Sequence, residues 1–235
     1  MRQYFVDQSL HLNDEVKLSD EISHHLRNVL RYKENDIIRI VDKDSQVFLA
    51  KLLFVEEEVY VDCVELIGNK KFSKDIIYCA CMIKKDKWEW LIQKAVELNA
   101  TKIVPIISQR TIIKNDEEKI DKKLVRWNKI ALEAAQQSNR ERLCSVERPI
   151  KLKEITRYLS EVNIVPYENE DNVKLIDLVD DKSITFIIGP EGGFDDSEIT
   201  FLTDLGFKCC SLGENILRAE TAGLYTLAVI DAKRG

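Results

Sequence analysis

Hydrophobic residues follow two different patterns along the chain, and the change falls near residue 70. Before it, apolar residues recur at alternate positions in short runs separated by polar breaks. These runs predict strands at residues 2–6, 37–41, 47–55 and 59–67. Between the first two, Ser19 and the acidic residues after it predict a helix that ends near Arg31. Residues 1–70 are therefore predicted to form a small β-barrel that carries one helix.

After the polar segment 68–73, a predicted linker, apolar runs alternate with amphipathic stretches. The runs predict strands at residues 76–83, 103–107, 163–167, 185–188 and 208–212. The amphipathic stretches predict helices at 86–99, 118–138, 195–206 and 221–232, the first of them opened by a capping box of Asp86 and Glu89. This alternation predicts an α/β domain with a parallel sheet at residues 73–235.

The loop after the strand at 185–188 is rich in glycine. Its strand-breaking residues are Gly189, Pro190, Gly192 and Gly193. At such positions the main chain turns tightly or approaches another group closely. The loop is therefore predicted to border a pocket.

The helix after this loop has start and stop signals of its own. Asp195 and Glu198 have the spacing of a capping box, and Phe194 and Ile199 fall at hydrophobic-staple positions. Gly206 is the residue at which this helix is predicted to end.

The segment 212–223 repeats the plan of strand, glycine loop and helix. The run at 208–212 breaks at Gly213, and the chain passes Arg218 and Glu220 before an apolar helix. Two such loops at the carboxyl ends of neighbouring strands predict a ligand site. Neither loop matches a nucleotide-binding motif, because no Lys-Ser/Thr follows and the spacing is not G-x-G-x-x-G. Glycines that serve only as turns remain an alternative.

Charge and hydropathy narrow the class of protein. The net charge of −6 argues against a general attraction to nucleic acid, although residues 84–142 carry fourteen Lys and Arg against nine Asp and Glu. That basic region either faces phosphates or is a solvated helix face. Neither a signal-peptide pattern nor an apolar run of about 18 residues is present in the sequence. We expect a cytoplasmic protein with no membrane contact.

Cysteine and histidine usage argues against a metal centre. The six cysteines lack metal-ligand spacing, and we expect them to be buried, reduced thiols. With three histidines, two of them adjacent on the predicted first helix, neither a zinc site nor a histidine-centred hydrolase is expected.

The predicted first helix carries a basic ridge. His24, Arg27 and Arg31 have the spacing of one helix face. The apolar residues predicted to pack on the opposite side are Leu26, Val29 and Leu30. The ridge either contacts phosphates or is a solvated basic face.

Two C-terminal motifs carry a resemblance to a known family. Gly-Pro-Glu-Gly-Gly-Phe at 189–194 and Leu-Gly-x-x-Ile-Leu-Arg-Ala-Glu-Thr-Ala at 212–222 closely resemble the RsmE family of 16S ribosomal RNA uridine-N3 methyltransferases, in the SPOUT superfamily. The match extends along the chain through Arg2, 24–31, 93–94, 97–98, 135–138 and Arg140. The sequence departs from the family pattern at Asn35 and Asn99, where we expect glycine, and shortly after Arg140, where an expected proline is absent.

The resemblance implies a fold, a cofactor and partners. It implies an RNA-binding N-terminal domain of the PUA-like type and a C-terminal domain whose last segment is threaded as a trefoil knot, a rare topology. It also implies S-adenosylmethionine as methyl donor, 16S ribosomal RNA or the small ribosomal subunit as substrate, and a homodimer with each site near the interface.

The resemblance also implies roles for individual residues. The cofactor-binding residues are expected to be Ile188, Gly189, Pro190, Gly192, Gly193, Leu212, Gly213, Ile216, Leu217, Thr221 and Ala222. For catalysis, the hypothesis is that Arg218 stabilises charge on the uracil and that Glu191 or Glu220 accepts or relays the N3 proton. The alternative for either carboxylate is a structural role in fixing its loop. The RNA-binding residues are expected to be Arg2, His24, Arg27, Arg31, Arg110 and Arg140.

Two other functions fit the same sequence features. One is a catalytically silent RNA-binding assembly factor with this fold, and the other is a different small-molecule enzyme that uses the same pocket. A protein that does not bind S-adenosylmethionine would be the silent assembly factor. A protein that binds it without transferring methyl groups to ribosomal RNA would be the other enzyme.

Overall fold

The chain divides into two compact units. The computed structural model describes residues 1–68, 74–111 and 119–234. One unit comprises Met1–Phe72 with Gln136–Arg142, and the other comprises Ser73–Ala135 with Leu143–Gly235. The pattern change near residue 70 gave no sign that 136–142 belong with the first unit. Apart from Gly68, the predicted linker lies outside the described residues.

The first unit is built on one mixed β-sheet. Its strands are β1 (Gln3–Phe5), β2 (Glu15–Lys17), β3 (Ile37–Val41), β4 (Val47–Val55) and β5 (Glu58–Gly68). They lie in the order β1-β3-β4-β5-β2, with β1 parallel to β3 and the other pairs antiparallel. The strands predicted at 2–6, 37–41, 47–55 and 59–67 are all present. The three-residue β2 was not predicted, because it is too short for an alternating pattern.

The helix of this unit changes its winding half-way along. Helix α1 (Asp20–His24) begins at Ser19, whose side chain accepts a hydrogen bond from the main-chain N–H of Ile22. A π-helical turn, His25–Val29, follows directly. This wider turn shifts the later side chains relative to an α-helix. Leu26 is fully buried as predicted, but the prediction that Val29 packs inward is wrong, because its side chain is 59% exposed.

The second unit is a parallel sheet with intervening helices. Its strands are β6 (Ile76–Cys81), β7 (Lys102–Ile107), β8 (Ser145–Val146), β9 (Ile150–Lys151), β10 (Val162–Pro166), β11 (Ile184–Ile188) and β12 (Lys208–Cys210). Its helices are α2 (Lys85–Glu97), α3 (Ile120–Gln137), α4 (Leu175–Leu178), α5 (Asp196–Asp204) and α6 (Ala219–Arg234), with a 3₁₀ segment at Leu152–Tyr158. The predicted α/β class with a parallel sheet is confirmed, although β8, β9, α4 and the 3₁₀ segment were not predicted. The predicted start of the long helix, residue 118, lies outside the described residues.

The strand order corrects one prediction about the two glycine loops. The sheet runs β12-β10-β11-β6-β7-β8, with β9 also paired to β7, and every pair is parallel. The loops follow β11 and β12, which are not neighbours, because β10 lies between them. All three strands nevertheless end at the same edge of the sheet, since parallel strands share a direction.

The predicted helix-capping residues are confirmed in α5 but not in α2. In α5, the Asp195 side chain accepts a hydrogen bond from the N–H of Ser197, and Asp195 and Glu198 form the predicted capping box. The helix ends before Gly206, whose φ of 91° is the left-handed conformation that glycine adopts readily. Helix α2 begins at Lys85 with Lys84 as N-cap, so the predicted capping box at Asp86 is wrong.

Asparagine supplies two tight turns where glycine was expected. Asn35 and Asn99 have φ of 69° and 66°, both in the left-handed region. Asparagine tolerates this region better than most residues with a side chain. The Asn99 amide also donates a 2.6 Å hydrogen bond to Asp231 of α6. Both turns are therefore retained despite the departure from the family pattern.

The interior is apolar, and its cysteines are not joined by disulfide bonds. None of the six cysteines forms a disulfide bond, and five of them, all but Cys209, are buried, as predicted. Helix α6 packs against the sheet at Gly223, which lies against Tyr78 of β6. Tyr78 in turn stacks on Phe186 of β11 at 4.6 Å between ring centroids. None of the helices in the described ranges combines the length and the hydropathy of a membrane-spanning segment.

Candidate functional site

The first glycine loop forms a tight turn at the end of β11. The Gly193 N–H donates a 2.9 Å hydrogen bond to the Pro190 carbonyl, and Gly193 has a φ of 69°. A Cβ at Gly189 would lie 3.2 Å from the ring of Phe194, closer than side chains normally pack. Pro190 is buried, whereas Glu191 and Gly192 are exposed. The turn thus presents the main chain of Glu191 and Gly192 to solvent at the edge of the sheet.

Arg110 holds this turn from the loop after β7. Its Nη1 donates a 2.9 Å hydrogen bond to the Gly192 carbonyl, and its Nη2 lies 3.3 Å from Oδ2 of Asp195. The pKa of Asp195 is lowered by hydrogen bonds from the main chain and hydroxyl of Ser197, with a further contribution from Arg110. The arginine therefore links the glycine turn to the first turn of α5. Its predicted contact with RNA stays a prediction.

The second glycine loop lines a pocket at the end of β12. The pocket is formed by Pro166, Tyr167, Glu168, Asp171, 211–217 and Ala222. Gly213 has a φ of 121°, with open space where a Cβ would lie. Five residues predicted to bind the cofactor meet at this pocket: Leu212, Gly213, Ile216, Leu217 and Ala222. Of these, Ile216 is 89% exposed, while Ala222 is buried.

Glu168 connects the two glycine loops. It follows β10, and its Oε1 lies 3.0 Å from the position that a Cβ at Gly193 would occupy. The same side chain lines the pocket of the second loop. Glu168 was not among the predicted site residues. Its position just beyond a buried strand was the one indication in the sequence that it could belong to the site. Its proximity to both loops depends on the strand order, which the sequence pattern does not show.

Residues at the start of α6 differ in their surroundings. Arg218 and Thr221 are exposed, and the Ala222 N–H donates a 2.8 Å hydrogen bond to the Arg218 carbonyl, which opens the helix. Arg218 therefore lies in the chain between the pocket residues Leu217 and Ala222, with an exposed side chain.

Glu220 is tied to helix α2. Lys87 donates a 2.6 Å hydrogen bond to its Oε1, and the Glu220 side chain is only 13% exposed. Burial alone would raise the pKa of Glu220, but the Lys87 ammonium and the main-chain N–H of Glu220 hold the pKa below its usual value. Its other oxygen is buried with no hydrogen-bond partner among the described residues. Glu220 is therefore ionised at neutral pH and is a weak base.

The residues predicted to bind RNA in the first unit have mixed environments. Arg2, His24 and Arg31 are exposed. The Arg27 guanidinium lies 4.8 Å from the centroid of the Phe54 ring and donates to the main-chain carbonyl of Glu58, so part of this side chain packs within the unit. Arg140 is buried, and its main-chain carbonyl accepts a 2.5 Å hydrogen bond from the side chain of Gln3.

Metal-ligating side chains do not cluster in the part of the chain that the structure describes, since it has no group of three or more His, Cys, Asp or Glu residues able to hold an ion. Burial raises the pKa of the Cys81 and Cys210 thiols to about 12, so both are protonated at neutral pH. Protonated, buried thiols are inert as nucleophiles.

Two family models match the chain. The model described as an RNA methyltransferase domain matches residues 70–231, and the model described as an RNA methyltransferase PUA domain matches residues 18–60. The first match includes both glycine loops, and the second includes α1 with the basic residues that follow it.

Named relatives and a solved structure resemble between 86% and 99% of the chain. A ribosomal RNA small subunit methyltransferase E of Bacillus subtilis is 31% identical, over 98% of this chain and 96% of its own. The protein of the same name from Mesomycoplasma hyopneumoniae is 32% identical, over 86% of this chain and 88% of its own. The crystal structure of a ribosomal RNA small subunit methyltransferase E from Neisseria gonorrhoeae bound to S-adenosyl methionine has a TM-score of 0.89 and 29% identity, over 99% of this chain and 97% of its own.

Proposed function

Because this chain belongs to the RNA methyltransferase family that includes the ribosomal RNA small subunit methyltransferases E, we propose that it methylates N3 of a uridine in 16S ribosomal RNA with S-adenosylmethionine as donor. The observation that carries the proposal is the likeness to the gonococcal protein bound to that cofactor, which extends over nearly the whole chain. The open pocket at the second glycine loop supports it, because Gly213 and the apolar residues around it leave room for a nucleoside.

The cofactor is proposed to lie along the two glycine loops. Main-chain groups at Gly189, Gly193, Leu212 and Gly213 would hold adenine and ribose, while Leu217 and Ala222 pack against the base. The remaining proposed contacts come from Ile188, Pro190, Gly192, Ile216 and Thr221. The exposed amides of Glu191 and Gly192 suit the carboxylate of the methionine end, because main-chain N–H groups bind anions well.

The chemical step exchanges one bond at the methyl carbon. The carbon–sulfur bond breaks as a carbon–N3 bond forms, and the N3 proton leaves to a base. Because N3 lies on the Watson-Crick edge, the uracil must be unpaired or turned out of its stack. Arg218 is proposed to stabilise the charge that develops on a uracil carbonyl. Of the two carboxylates, Glu191 is the better proton acceptor, because Lys87 already occupies Glu220.

The substrate is proposed to be the assembled small subunit. The exposed side chains of Arg2, His24 and Arg31 would contact phosphates, and so would Arg27 in part. Arg110 and Arg140 are the other proposed RNA-binding residues. Phosphate contacts of this kind orient an RNA-binding domain without reading its sequence. Such a substrate also implies a cytoplasmic location.

The architecture around the site is proposed to include two further features. One is a trefoil knot in the last segment of the second unit. The other is a homodimer in which Arg140 of one copy serves the site of the other. Both follow from the family resemblance.

Labelled methyl transfer tests the proposal. Purified small subunits from a strain that lacks this protein are incubated with the protein and methyl-labelled S-adenosylmethionine, and the modified base is mapped. Label at N3 of one uridine of 16S ribosomal RNA is expected. Calorimetry that detects no cofactor binding would favour the silent assembly factor, and binding without transfer to ribosomal RNA would favour another substrate.

A further inference from the structure

Glu168 lies in the loop after β10, the strand between the two that end in glycine loops. Its Oε1 lies 3.0 Å from the Cβ position of Gly193 in one loop, and its side chain lines the pocket with Gly213 and Leu217 of the other. This carboxylate therefore stands between the two loops, at the edge of the sheet where ligands bind in open α/β folds.

Gly193 leaves the space that the carboxylate occupies. A Cβ there would meet Oε1 of Glu168 at a distance tighter than ordinary side-chain contacts, and φ at Gly193 is already in the left-handed region. The Gly193 turn and the loop after β10 can approach each other this closely only because Gly193 has no side chain.

The carboxylate of Glu168 has both oxygens available to a ligand. Among the described residues, none donates a hydrogen bond or forms an ion pair with it. The nearby Glu170 differs, because its Oε1 accepts the main-chain N–H groups of Asn172 and Val173 and thereby closes the loop. The loop is thus folded by Glu170 and leaves Glu168 exposed to the pocket.

A carboxylate without protein partners is suited to bind the ribose hydroxyls of a nucleoside. An ionised carboxylate only accepts hydrogen bonds, and its two oxygens match two adjacent hydroxyl donors. In dinucleotide-binding folds an acidic residue takes the ribose hydroxyl in this way. The apolar residues of the same pocket, Leu212, Leu217 and Ala222, suit the flat face of a purine next to that ribose.

We infer that Glu168 binds the ribose hydroxyls of the sulfonium nucleoside and sets the preference of this pocket for ribose over deoxyribose. The inference rests on the proposed function, since it assumes that the cofactor occupies this pocket. It adds a binding residue that comes from neither glycine loop.

Calorimetry with S-adenosylhomocysteine and its 2′-deoxy and 3′-deoxy analogues tests the inference. The wild-type protein is expected to bind each analogue about tenfold less tightly, the usual effect of one hydrogen bond to a charged group. Glu168→Ala is expected to bind S-adenosylhomocysteine at least about tenfold less tightly and to bind all three ligands equally well. Asp171→Ala removes another carboxylate from the same pocket and is expected to keep the preference for ribose. Thermal unfolding confirms that both variants are folded.

The outcomes separate this inference from the proposed function. If Glu168→Ala keeps the wild-type preference for ribose, the inference is overturned while the methyltransferase proposal stands. If the wild-type protein binds neither S-adenosylmethionine nor S-adenosylhomocysteine, the proposed function is overturned and the inference with it.

Discussion

The guanidinium of Arg110 donates a 2.9 Å hydrogen bond to the main-chain carbonyl of Gly192. Because the same side chain reaches Asp195 at the start of α5, it holds the glycine turn in one position relative to the helix. The turn has few other restraints, since Glu191 and Gly192 are exposed. The placement of the proposed methionine-binding amides thus depends on an arginine from a different loop.

Replacement of Arg110 should weaken cofactor binding. Arg110→Gln removes the bond to Gly192 and the contact with Asp195, and we expect the Kd for S-adenosylmethionine to rise about fivefold, the effect of one exposed hydrogen bond of about 1 kcal/mol. Arg157→Gln is the control, because it removes an exposed arginine that pairs with Glu154 at 3.1 Å in the same unit. Calorimetry measures both. An unchanged Kd in Arg110→Gln would contradict a role of Arg110 in cofactor binding and would leave only its proposed role in RNA binding.

Arg218 should affect turnover rather than cofactor affinity. Arg218→Ala removes the proposed donor to the uracil carbonyl, and we expect turnover to fall about a hundredfold or more, as for loss of one oxyanion donor. Its exposed side chain packs little, so S-adenosylmethionine affinity should stay within about threefold. Single-turnover methylation of small subunits, with calorimetry on the same samples, measures both quantities. An active Arg218→Ala would remove this residue from the mechanism.

The two candidate carboxylates should differ in their kinetic effects. Glu191→Gln removes an exposed carboxylate at the glycine turn, and we expect turnover to fall about a hundredfold, as for the loss of a general base. Glu220→Gln can still accept the hydrogen bond from Lys87, so its turnover should fall less than about tenfold. The pair is matched, because each variant exchanges a carboxylate for an amide. The reverse order of effects would make Glu220 the base.

The ion pair of Lys87 and Glu220 should make stability depend on pH. Lys87→Met leaves the nearly buried Glu220 carboxylate without its donor, and we expect a loss of about 1–2 kcal/mol at pH 7. The pKa of Glu220 is lower in the folded chain, so the pair stabilises the fold above the usual glutamate pKa of about 4.3. That contribution is lost as the pH falls through the lower, folded-state pKa.

Thermal unfolding of the wild-type protein and Lys87→Met between pH 7 and pH 3 checks this expectation. The difference in Tm should be largest at neutral pH and should shrink in acid. Arg126→Met is the control, because Arg126 is 61% exposed in its pair with Glu89 and such pairs contribute little. If the difference in Tm did not change with pH, the stabilisation by Lys87 would come from packing of its side chain and not from its ion pair with Glu220.

Gly223 should be required where α6 crosses β6. A Cβ at this position would lie 1.9 Å from the hydroxyl oxygen and 2.5 Å from Cζ of Tyr78, so Gly223→Ala must displace the helix. We expect a loss of about 3 kcal/mol, the upper range for overpacking. Tyr78→Phe alone should change stability by less than about 1 kcal/mol, because the buried hydroxyl has no hydrogen-bond partner among the described residues.

Combining the two changes measures how much of that clash comes from the hydroxyl. The double variant should be more stable than Gly223→Ala but less stable than Tyr78→Phe, since the contact with Cζ remains. Chemical denaturation of the single and double variants gives the free energies of unfolding. Equal stability of Gly223→Ala and the wild-type protein would contradict the close packing at this crossing.

Features set by neighbouring residues could be predicted from the sequence. The capping box of Asp195 and Glu198 and the end of α5 at Gly206 depend on a few consecutive residues, and both were predicted correctly. The main strands were found for the same reason, because burial imposes a local pattern of apolar residues. The motifs at 189–194 and 212–222 led to the family, which the comparisons confirm.

Features that depend on distant residues could not be predicted. The insertion of β10 between β11 and β12 leaves no mark in any one segment, so the position of Glu168 between the loops was missed. The pairing of Lys87 with Glu220 joins residues 133 positions apart. The π-helical turn after α1 has no residue pattern of its own, and the exposure of Val29 was missed for that reason.

The strand order also affects how the protein folds while it is being translated. Strand β6 lies inside the finished sheet, but on one side its partner is β11, with Ile76 paired to Ile184. Translation must add more than one hundred residues after β6 before this hydrogen-bonding edge is covered. Until then the nascent chain exposes an apolar, unpaired strand, the kind of surface that chaperones protect. Pauses in translation between these two strands should therefore lower the yield of native protein.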